Sequence, residues 1–247
     1  MIWNLFIKDT NNIGDAVCGP SLYFPNMIPF DVRNWKELPK TDTIILGGGG
    51  LFHLPSVDYN NGVYGHIEEL LGHFQRVLLW GAGHNVHGET KIEYPDMSRF
   101  PLIGIRDFIN KWNWVPDVSC MSPLFDHLPS PSEPTEPAYF CHREFNDKRF
   151  SLNMPTMYCE DTNFKEALNF ISCHSIIYTN SYHGAYWCLL LGKTVVIDDA
   201  YSSKFFGFPG ILTTFSDNGL IITPYPNFLN LCREINKWYY QKVKEII

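Results

Sequence analysis

The chain has 247 residues, of which 45% are hydrophobic and 18% are charged, and this composition excludes a disordered chain. Its net charge of −7 argues against a nucleic-acid partner bound on a broad basic face, so an anionic substrate would need local positive charge. No apolar run approaches the roughly 20 residues of a membrane span. The seven cysteines include no CxxC pair, which favours neither a disulfide framework nor a zinc site and is typical of a cytoplasmic protein.

Short apolar runs that end in glycine or polar turns predict a first parallel sheet. The predicted strands cover residues 3–7, 43–46, 76–80 and 102–105. Fully apolar runs of this length suit strands that are buried on both faces. Between the second and third strands, apolar residues at near-helical spacing over residues 63–74 predict a crossover helix.

The segment 128–137, LPSPSEPTEP, contains four prolines and cannot continue a helix or a central strand. It predicts an N-terminal domain over 1–128, a linker over 129–137 and a C-terminal domain over 138–247. The second half repeats the alternation of strands and helices, which predicts two α/β halves. Its predicted strands are 138–141, 157–159, 175–178 and 194–197, and its predicted helices are 163–173, 182–191 and a long terminal helix over 227–247.

Ligands of open α/β sheets bind beyond the carboxyl ends of the strands, so the residues after each strand are the candidates. Asn12 to Asp15 follow the first strand and could grip an anion with backbone N–H groups or simply cap a helix. Gly47 to Gly50 follow the second and lack both the dinucleotide and the P-loop spacing. They indicate a close backbone approach to a ligand or to a following helix. The histidines of this half have no metal-site spacing, so no metal is predicted.

Three further residues could carry chemistry. Arg106 ends the fourth strand and could hold a carboxylate or phosphate, or pair with Asp107. His183 opens the helix after a strand of the second half, beside free N–H groups that suit anion binding and proton transfer. In the alternative, His183 only hydrogen-bonds nearby groups while Asn180 or Ser181 caps the helix. Lys204 could return to the same cleft or pair with a neighbouring aspartate.

In their order along the chain, these segments resemble the polysaccharide pyruvyltransferase family. The matching pieces are residues 12–15, 47–52, 80–83, 106–107, Asp117, 179–184 and Lys204. The resemblance implies a GT-B-like fold, with two Rossmann-like domains facing across a cleft. It also implies transfer of the pyruvyl group of phosphoenolpyruvate onto two hydroxyls of a sugar, forming a ketal and releasing phosphate. The acceptor would belong to a bacterial surface polysaccharide or its lipid-linked precursor, and no further cofactor is implied.

The family's functional residues carry over onto this chain position by position. His183 would be the acid and base, while Arg106 and Lys204 would hold the carboxylate and phosphate of the donor. The substrate-binding set would be Asn12, Gly14, Asp15, Gly48, Gly49, Gly50, Asn180, Ser181 and Tyr182.

The chain departs from the family at one cationic position. Many members carry arginine two residues before the histidine, where this chain has Ser181, so Arg143, Arg149 or the helix N-terminus would have to replace that charge. Two other functions therefore stay open. One is a glycosyltransferase that uses a nucleotide sugar on the same scaffold, and the other is a non-catalytic carbohydrate-binding protein.

Overall fold

A computed structural model describes most of the chain, with short gaps between the described segments. The described residues are 2–8, 11–40, 43–52, 63–88, 91, 94, 96–128, 136–142, 154–198, 200–209, 211–216 and 219–247. They form five helices and twelve strands in two six-stranded sheets. The α/β class predicted from the sequence is confirmed.

The first sheet is entirely parallel, in the order β2-β1-β3-β4-β5-β6. Its strands are β1 (Ile2–Phe6), β2 (Met27–Asp31), β3 (Thr43–Leu46), β4 (Arg76–Ala82), β5 (Ile103–Ile105) and β6 (Asn113–Trp114). The four predicted strands match β1, β3, β4 and β5, whereas β2 and β6 were not predicted. Strand β2 lies at the sheet edge and contains a proline, so it lacks the apolar run of a buried strand.

The second sheet has the order β11-β12-β10-β9-β7-β8. Its strands are β7 (Ala138–Cys141), β8 (Thr156–Tyr158), β9 (Ile177–Thr179), β10 (Val195–Ile197), β11 (Ile211–Ser216) and β12 (Gly219–Thr223). The first four are parallel and match the predicted strands within two residues. Strands β11 and β12 form an antiparallel hairpin on the edge of β10, which the sequence analysis did not predict.

The helices follow local sequence signals. They are α1 (Ile13–Val17), α2 (Val63–His73), α3 (Phe164–Cys173), α4 (Tyr182–Leu190) and α5 (Phe228–Ile246). Helix α3 begins with a capping box of Asn163 and Glu166, in which each side chain bonds to the other residue's backbone N–H. Helix α4 is buried along its whole length, as expected for a helix without a polar face. No described helix combines the length and the apolar character that crossing a membrane would require.

Helix α5 closes the chain back onto the first sheet. Tyr239 and Val243 are fully buried in the cluster that contains Ile45, Leu78 and Trp80. The buried Asn236 accepts a hydrogen bond from Trp80 Nε1 at 2.8 Å and donates to the carbonyl of Pro116 at 3.2 Å. The predicted terminal helix is therefore present, and it connects the end of the chain to β4 and to the segment after β6.

A second connection joins the segment after β4 to the segment after β10. The backbone N–H of Ser203 donates to the carbonyl of Val86, and the Val86 N–H donates to Ser203 Oγ at 2.9 Å. Ser203 Oγ also lies 2.6 Å from Nδ1 of the buried His84, and Ser202 Oγ donates to Asn85 Oδ1. These contacts hold two strand ends from different sheets together.

The carboxyl ends of the parallel strands position the candidate site. Strand order reverses between β1 and β3 in the first sheet and between β7 and β9 in the second, and ligands of such sheets bind at these reversal points. The domain boundaries and the GT-B-like arrangement across a cleft stay predictions, and residues 129–135 of the predicted linker lie outside the described residues.

Candidate functional site

The segment after β1 supplies the first wall of the site. Asn12 caps helix α1 by accepting a hydrogen bond from the Gly14 N–H at 3.1 Å, and its Nδ2 donates to Asp15 Oδ2 at 3.0 Å. Gly14 lies against the ring of His183, because a Cβ added at Gly14 would be 2.0 Å from His183 Nδ1. No other residue type leaves room for the imidazole at this position, so the glycine brings α1 and α4 into direct contact.

The glycine segment after β3 makes a turn with backbone angles that residues with side chains rarely adopt. Gly48 and Gly49 have φ values of +90° and +84°, a region that glycine enters at little cost. Gly50 follows at the other end of the turn, where an added Cβ would be 3.1 Å from Nη2 of Arg106. The closest approach of these glycines is to backbone carbonyls, because a Cβ added at Gly47 or Gly48 would lie 1.9 Å from the Trp80 oxygen or 2.1 Å from the Cys18 oxygen. Approach to a ligand stays a prediction.

Arg106 lies in the interior at the end of β5, with 2% of its surface exposed. Its Cζ lies 3.8 Å from the centroid of the Tyr182 ring, a distance at which the ring's π-electrons attract the cation. Its Nε and Nη1 are buried and have no hydrogen-bond partner among the described residues. A buried cation without such partners costs free energy, so this guanidinium is suited to receive an anionic ligand.

Among the described residues, Arg106 and Asp107 do not form the ion pair that was the alternative prediction for Arg106. The carboxylate of Asp107 instead accepts hydrogen bonds from the His84 N–H at 2.7 Å and from the hydroxyl of Tyr94. Burial raises the pKa of Asp107 to about 6, while the charge of Arg106 and these hydrogen bonds oppose that rise. Asp107 therefore fixes the segment after β4 and leaves the guanidinium to the site.

His183 lies in the first turn of α4, after Ser181, whose Oγ accepts a hydrogen bond from the Gly184 N–H. Its Nε2 is 3.4 Å from Oδ2 of Asp117, a fully buried carboxylate that also accepts from the Ser119 N–H. Burial raises the pKa of Asp117, but the hydrogen bond and charge of His183, the hydrogen bond from Ser119 and the charge of Arg106 together outweigh that effect, so the net pKa is lowered. Asp117 therefore stays ionised and orients the imidazole.

Lys204 reaches the site from the turn after β10, which the Ser203 contacts hold beside the segment after β4. Its side chain is buried, and its Nζ donates to the hydroxyl of Tyr201 at 2.9 Å. Burial is the main cause that lowers the pKa of Lys204 to about 7, and the nearby positive charge of Arg106 acts in the same direction. Asp15 opposes this shift, but the ammonium is still easy to deprotonate near neutral pH.

The charges of these groups act on Asp15. Burial raises its pKa, and four groups oppose that rise through their charge, in decreasing order His183, Arg106, Lys204 and His142. Contacts place two of the predicted catalytic residues together: Arg106 lies 3.8 Å from the Tyr182 ring, and the ring centroids of Tyr182 and His183 are 5.6 Å apart. Lys204 comes from a third segment, and its charge acts on the pKa of Asp15.

The remaining predicted residues have identified contacts as well. Asn180 Oδ1 accepts a hydrogen bond from the His142 N–H at 2.8 Å, which joins the ends of β9 and β7. Tyr182 is the aromatic neighbour of Arg106, and Ser181 is the cap of α4, as one of the alternatives for this segment stated. Arg143 and Arg149, named as substitutes for the missing arginine, lie outside the described residues.

Two neighbours of the site, Asp117 and His142, were not among its predicted residues. Asp117 was noticed only as part of the resemblance, and its pairing with His183 across 66 positions of the chain has no local signal. His142 was not singled out, although its place directly after β7 was a usable signal, since strand ends were the places to search.

The similarity of this chain to known proteins extends to the fold and does not identify a function. No family model matches the chain, and no curated protein matches it. The crystal structure of a functionally uncharacterised protein from Klebsiella pneumoniae is similar, with a TM-score of 0.52 and 18% sequence identity. The similarity covers 83% of this chain and 86% of that one. It supports the mixed α/β architecture.

Proposed function

We propose that the chain transfers the pyruvyl group of phosphoenolpyruvate onto two hydroxyls of a sugar, forming a ketal and releasing phosphate. The observation that carries this proposal is the buried guanidinium of Arg106, which lies 3.8 Å from the ring of Tyr182, the residue before His183 in the first turn of α4. The order of the motifs along the chain, which resembles the polysaccharide pyruvyltransferase family, supports the same reaction.

The proposed donor suits the charges of this site. Phosphoenolpyruvate carries a carboxylate and a phosphate on the same carbon, and the chain as a whole carries a net charge of −7 that would repel it. Arg106 presents two buried nitrogen atoms without partners among the described residues, and each N–H of a guanidinium can donate a hydrogen bond to such an oxygen. Lys204 adds a second cation in its protonated form. Local charge therefore replaces the favourable global charge that the protein lacks.

In the proposed reaction, His183 donates a proton to the methylene carbon of the enol while one sugar hydroxyl adds to the neighbouring carbon. Phosphate then leaves, and the second hydroxyl adds to the same carbon. Two carbon–oxygen bonds form and one breaks. Of the two protons that the hydroxyls lose, one restores His183 and the other leaves with phosphate, so no oxidant or reductant is needed. The carboxylate of Asp117 stabilises the protonated imidazole.

Phosphate release from phosphoenolpyruvate, with and without a panel of sugar acceptors, tests the proposal. We expect release only when an acceptor is present. His183→Ala should lower turnover by a factor on the order of 100 to 10,000. His127→Ala is the matched control, because His127 is exposed at the end of a short turn outside the site. Near-normal turnover by the His183→Ala protein would contradict the proposed chemistry.

The same panel separates the other two functions. A donor that binds the folded state raises the unfolding temperature. Stabilisation by nucleotide sugars and none by phosphoenolpyruvate would identify a glycosyltransferase instead. Sugar binding that survives the loss of both His183 and Lys204, with no turnover of any donor, would identify a carbohydrate-binding protein.

A further inference from the structure

Three side chains with metal-binding atoms meet beside the candidate site, at the ends of β7 and β8. His142 follows β7, and Cys159 and Glu160 follow β8. His142 Nδ1 lies 3.0 Å from Glu160 Oε1 and 3.1 Å from Cys159 Sγ. The three ligand atoms all lie within 4.8 Å of one another. These residues are called the His142 cluster below.

The strand pairing explains why the cluster forms. Strands β7 and β8 are parallel neighbours in which Cys141 is paired with Tyr158, so the next residues, His142 and Cys159, leave the sheet side by side. The Cys159 N–H continues the ladder by donating to the carbonyl of Cys141 at 3.0 Å. The His142 N–H is fixed by Asn180 Oδ1. The backbone thus holds both residues in place before any ion binds.

The distances within the cluster are close to those around tetrahedral zinc. With zinc about 2.0 Å from nitrogen and oxygen and about 2.3 Å from sulfur, the nitrogen–oxygen and nitrogen–sulfur separations are about 3.3 Å and 3.5 Å. The observed separations of 3.0 Å and 3.1 Å would have to widen by about 0.3 Å and 0.4 Å. Side-chain rotation of Glu160, which retains 30% exposure, supplies part of such a movement.

The charges and protons of the cluster also suit a cation. The Cys159 thiol donates a hydrogen bond to the carbonyl of Cys141 at 3.0 Å, so a bound ion must displace this proton. The resulting thiolate, a neutral imidazole and a carboxylate together carry two negative charges, which a divalent ion balances. Nδ1 of His142 carries at most one hydrogen, yet a carboxylate oxygen and a thiol sulfur both lie within hydrogen-bond distance of it. An ion bound by all three atoms would replace the hydrogen bonds that His142 Nδ1 and Cys159 Sγ now make.

We propose that the His142 cluster binds one divalent transition-metal ion, with zinc as the preferred ion, through His142 Nδ1, Cys159 Sγ and Glu160 Oε1. The combination of imidazole, thiolate and carboxylate favours zinc over magnesium or calcium, which prefer oxygen ligands alone. Three protein ligands leave the fourth tetrahedral position for water or for an oxygen of a bound molecule. This assignment does not depend on the proposed transferase activity.

Binding of metal to the full chain, stripped with a chelator, tests the assignment. We expect one equivalent of Zn²⁺ by calorimetry, and one equivalent of Co²⁺ with the near-ultraviolet absorption of a cobalt–thiolate bond. Cys159→Ser should abolish that absorption, and Glu160→Gln should weaken binding at least tenfold, by about 1.4 kcal/mol. Cys173→Ser, at a half-buried cysteine of α3, is the matched control and should change neither result.

Other outcomes overturn the proposal. Cys18, Asp117 and His183 form a second group of potential ligands inside the candidate site, so loss of the absorption in Cys18→Ser but not in Cys159→Ser would place the metal there instead. Binding that is unchanged in Glu160→Gln, or no binding at micromolar Zn²⁺, would show that the cluster is a hydrogen-bonded group without a metal. If Cys159→Ser does not fold, as judged by circular dichroism, the Glu160→Gln result decides alone.

Discussion

Lys204 should make the binding of anions depend on pH near neutrality. Its ammonium is buried, and it donates a hydrogen bond to the neutral hydroxyl of Tyr201. Burial, together with the charge of Arg106, lowers its pKa to about 7. The carboxylate of Asp15 opposes this lowering of the pKa. An anion placed beside Arg106 and Lys204 should bind more tightly when Lys204 is protonated, so binding takes up a proton.

The size of the effect follows from that pKa. About nine tenths of Lys204 is protonated at pH 6 and about one tenth at pH 8, so an anion that requires the ammonium should bind about tenfold more weakly at pH 8, a loss of about 1.4 kcal/mol. Because the pKa of Lys204 is lowered into this range, the affinity for the anion falls as the pH rises. A lysine with its ordinary pKa would stay charged throughout this range and would give no pH dependence.

Calorimetry with sulfate measures this effect, because the charge of sulfate does not change over the same range. Lys204→Arg should flatten the pH dependence, since arginine stays protonated, and Lys204→Met should bind sulfate weakly at every pH. Lys36→Arg, at an exposed lysine that pairs with Glu69, is the control and should behave like the unmodified chain. Equal affinity at pH 6 and pH 8 in the unmodified chain would refute the reasoning about Lys204.

Three substitutions test other contacts of the structure. Asp117→Asn removes the charge paired with His183. It should lower turnover at least tenfold and change the KM for phosphoenolpyruvate by less than about threefold. A fall in turnover matched by an equal rise in KM would contradict a positioning role for Asp117. Gly14→Ala places a methyl group on the imidazole of His183 and should lower turnover about a hundredfold while circular dichroism stays unchanged. Asn236→Leu leaves the Trp80 N–H unpaired in the core and should reduce the free energy of unfolding, measured with urea, by about 2 to 4 kcal/mol. An unchanged denaturation midpoint would show that the hydrogen bond between Trp80 and Asn236 contributes little.

The strands that the sequence predicts correctly are those whose environment is uniform. Residues 43–46 and 76–80 are apolar runs because β3 and β4 are covered on both faces of the first sheet. Strands β2 and β11 lie at sheet edges, where one side of the strand has no neighbour and the sequence need not be apolar. Strand β12 has neighbours on both sides, but its buried residues alternate with half-buried ones. The missed strands are thus the ones on which burial imposes the weakest pattern.

The residues of the candidate site that follow strand ends could be predicted from the sequence. The contacts between side chains from distant segments could not. Gly47 to Gly50 and His183 follow buried strands directly, so their place at the carboxyl edge could be deduced from the chain alone. The pairing of His183 with Asp117 arises because α4 of the second sheet packs against the segment after β6, where Tyr186 donates to the Asp117 carbonyl at 2.8 Å. No periodicity encodes such a contact between distant segments.

The distribution of charge within the site explains why so many ionisable groups can be buried together. Arg106 and Lys204 would each be costly alone in the interior, but the carboxylate of Asp15 lies near both and Asp117 balances His183. An anion that arrives at Arg106 therefore enters a site whose acids already offset part of the positive charge. The affinity for an anion must then come from the unpartnered Nε and Nη1 of Arg106 and from proton uptake by Lys204. For this reason the pH dependence of anion binding tests the site more directly than the net charge of the site does.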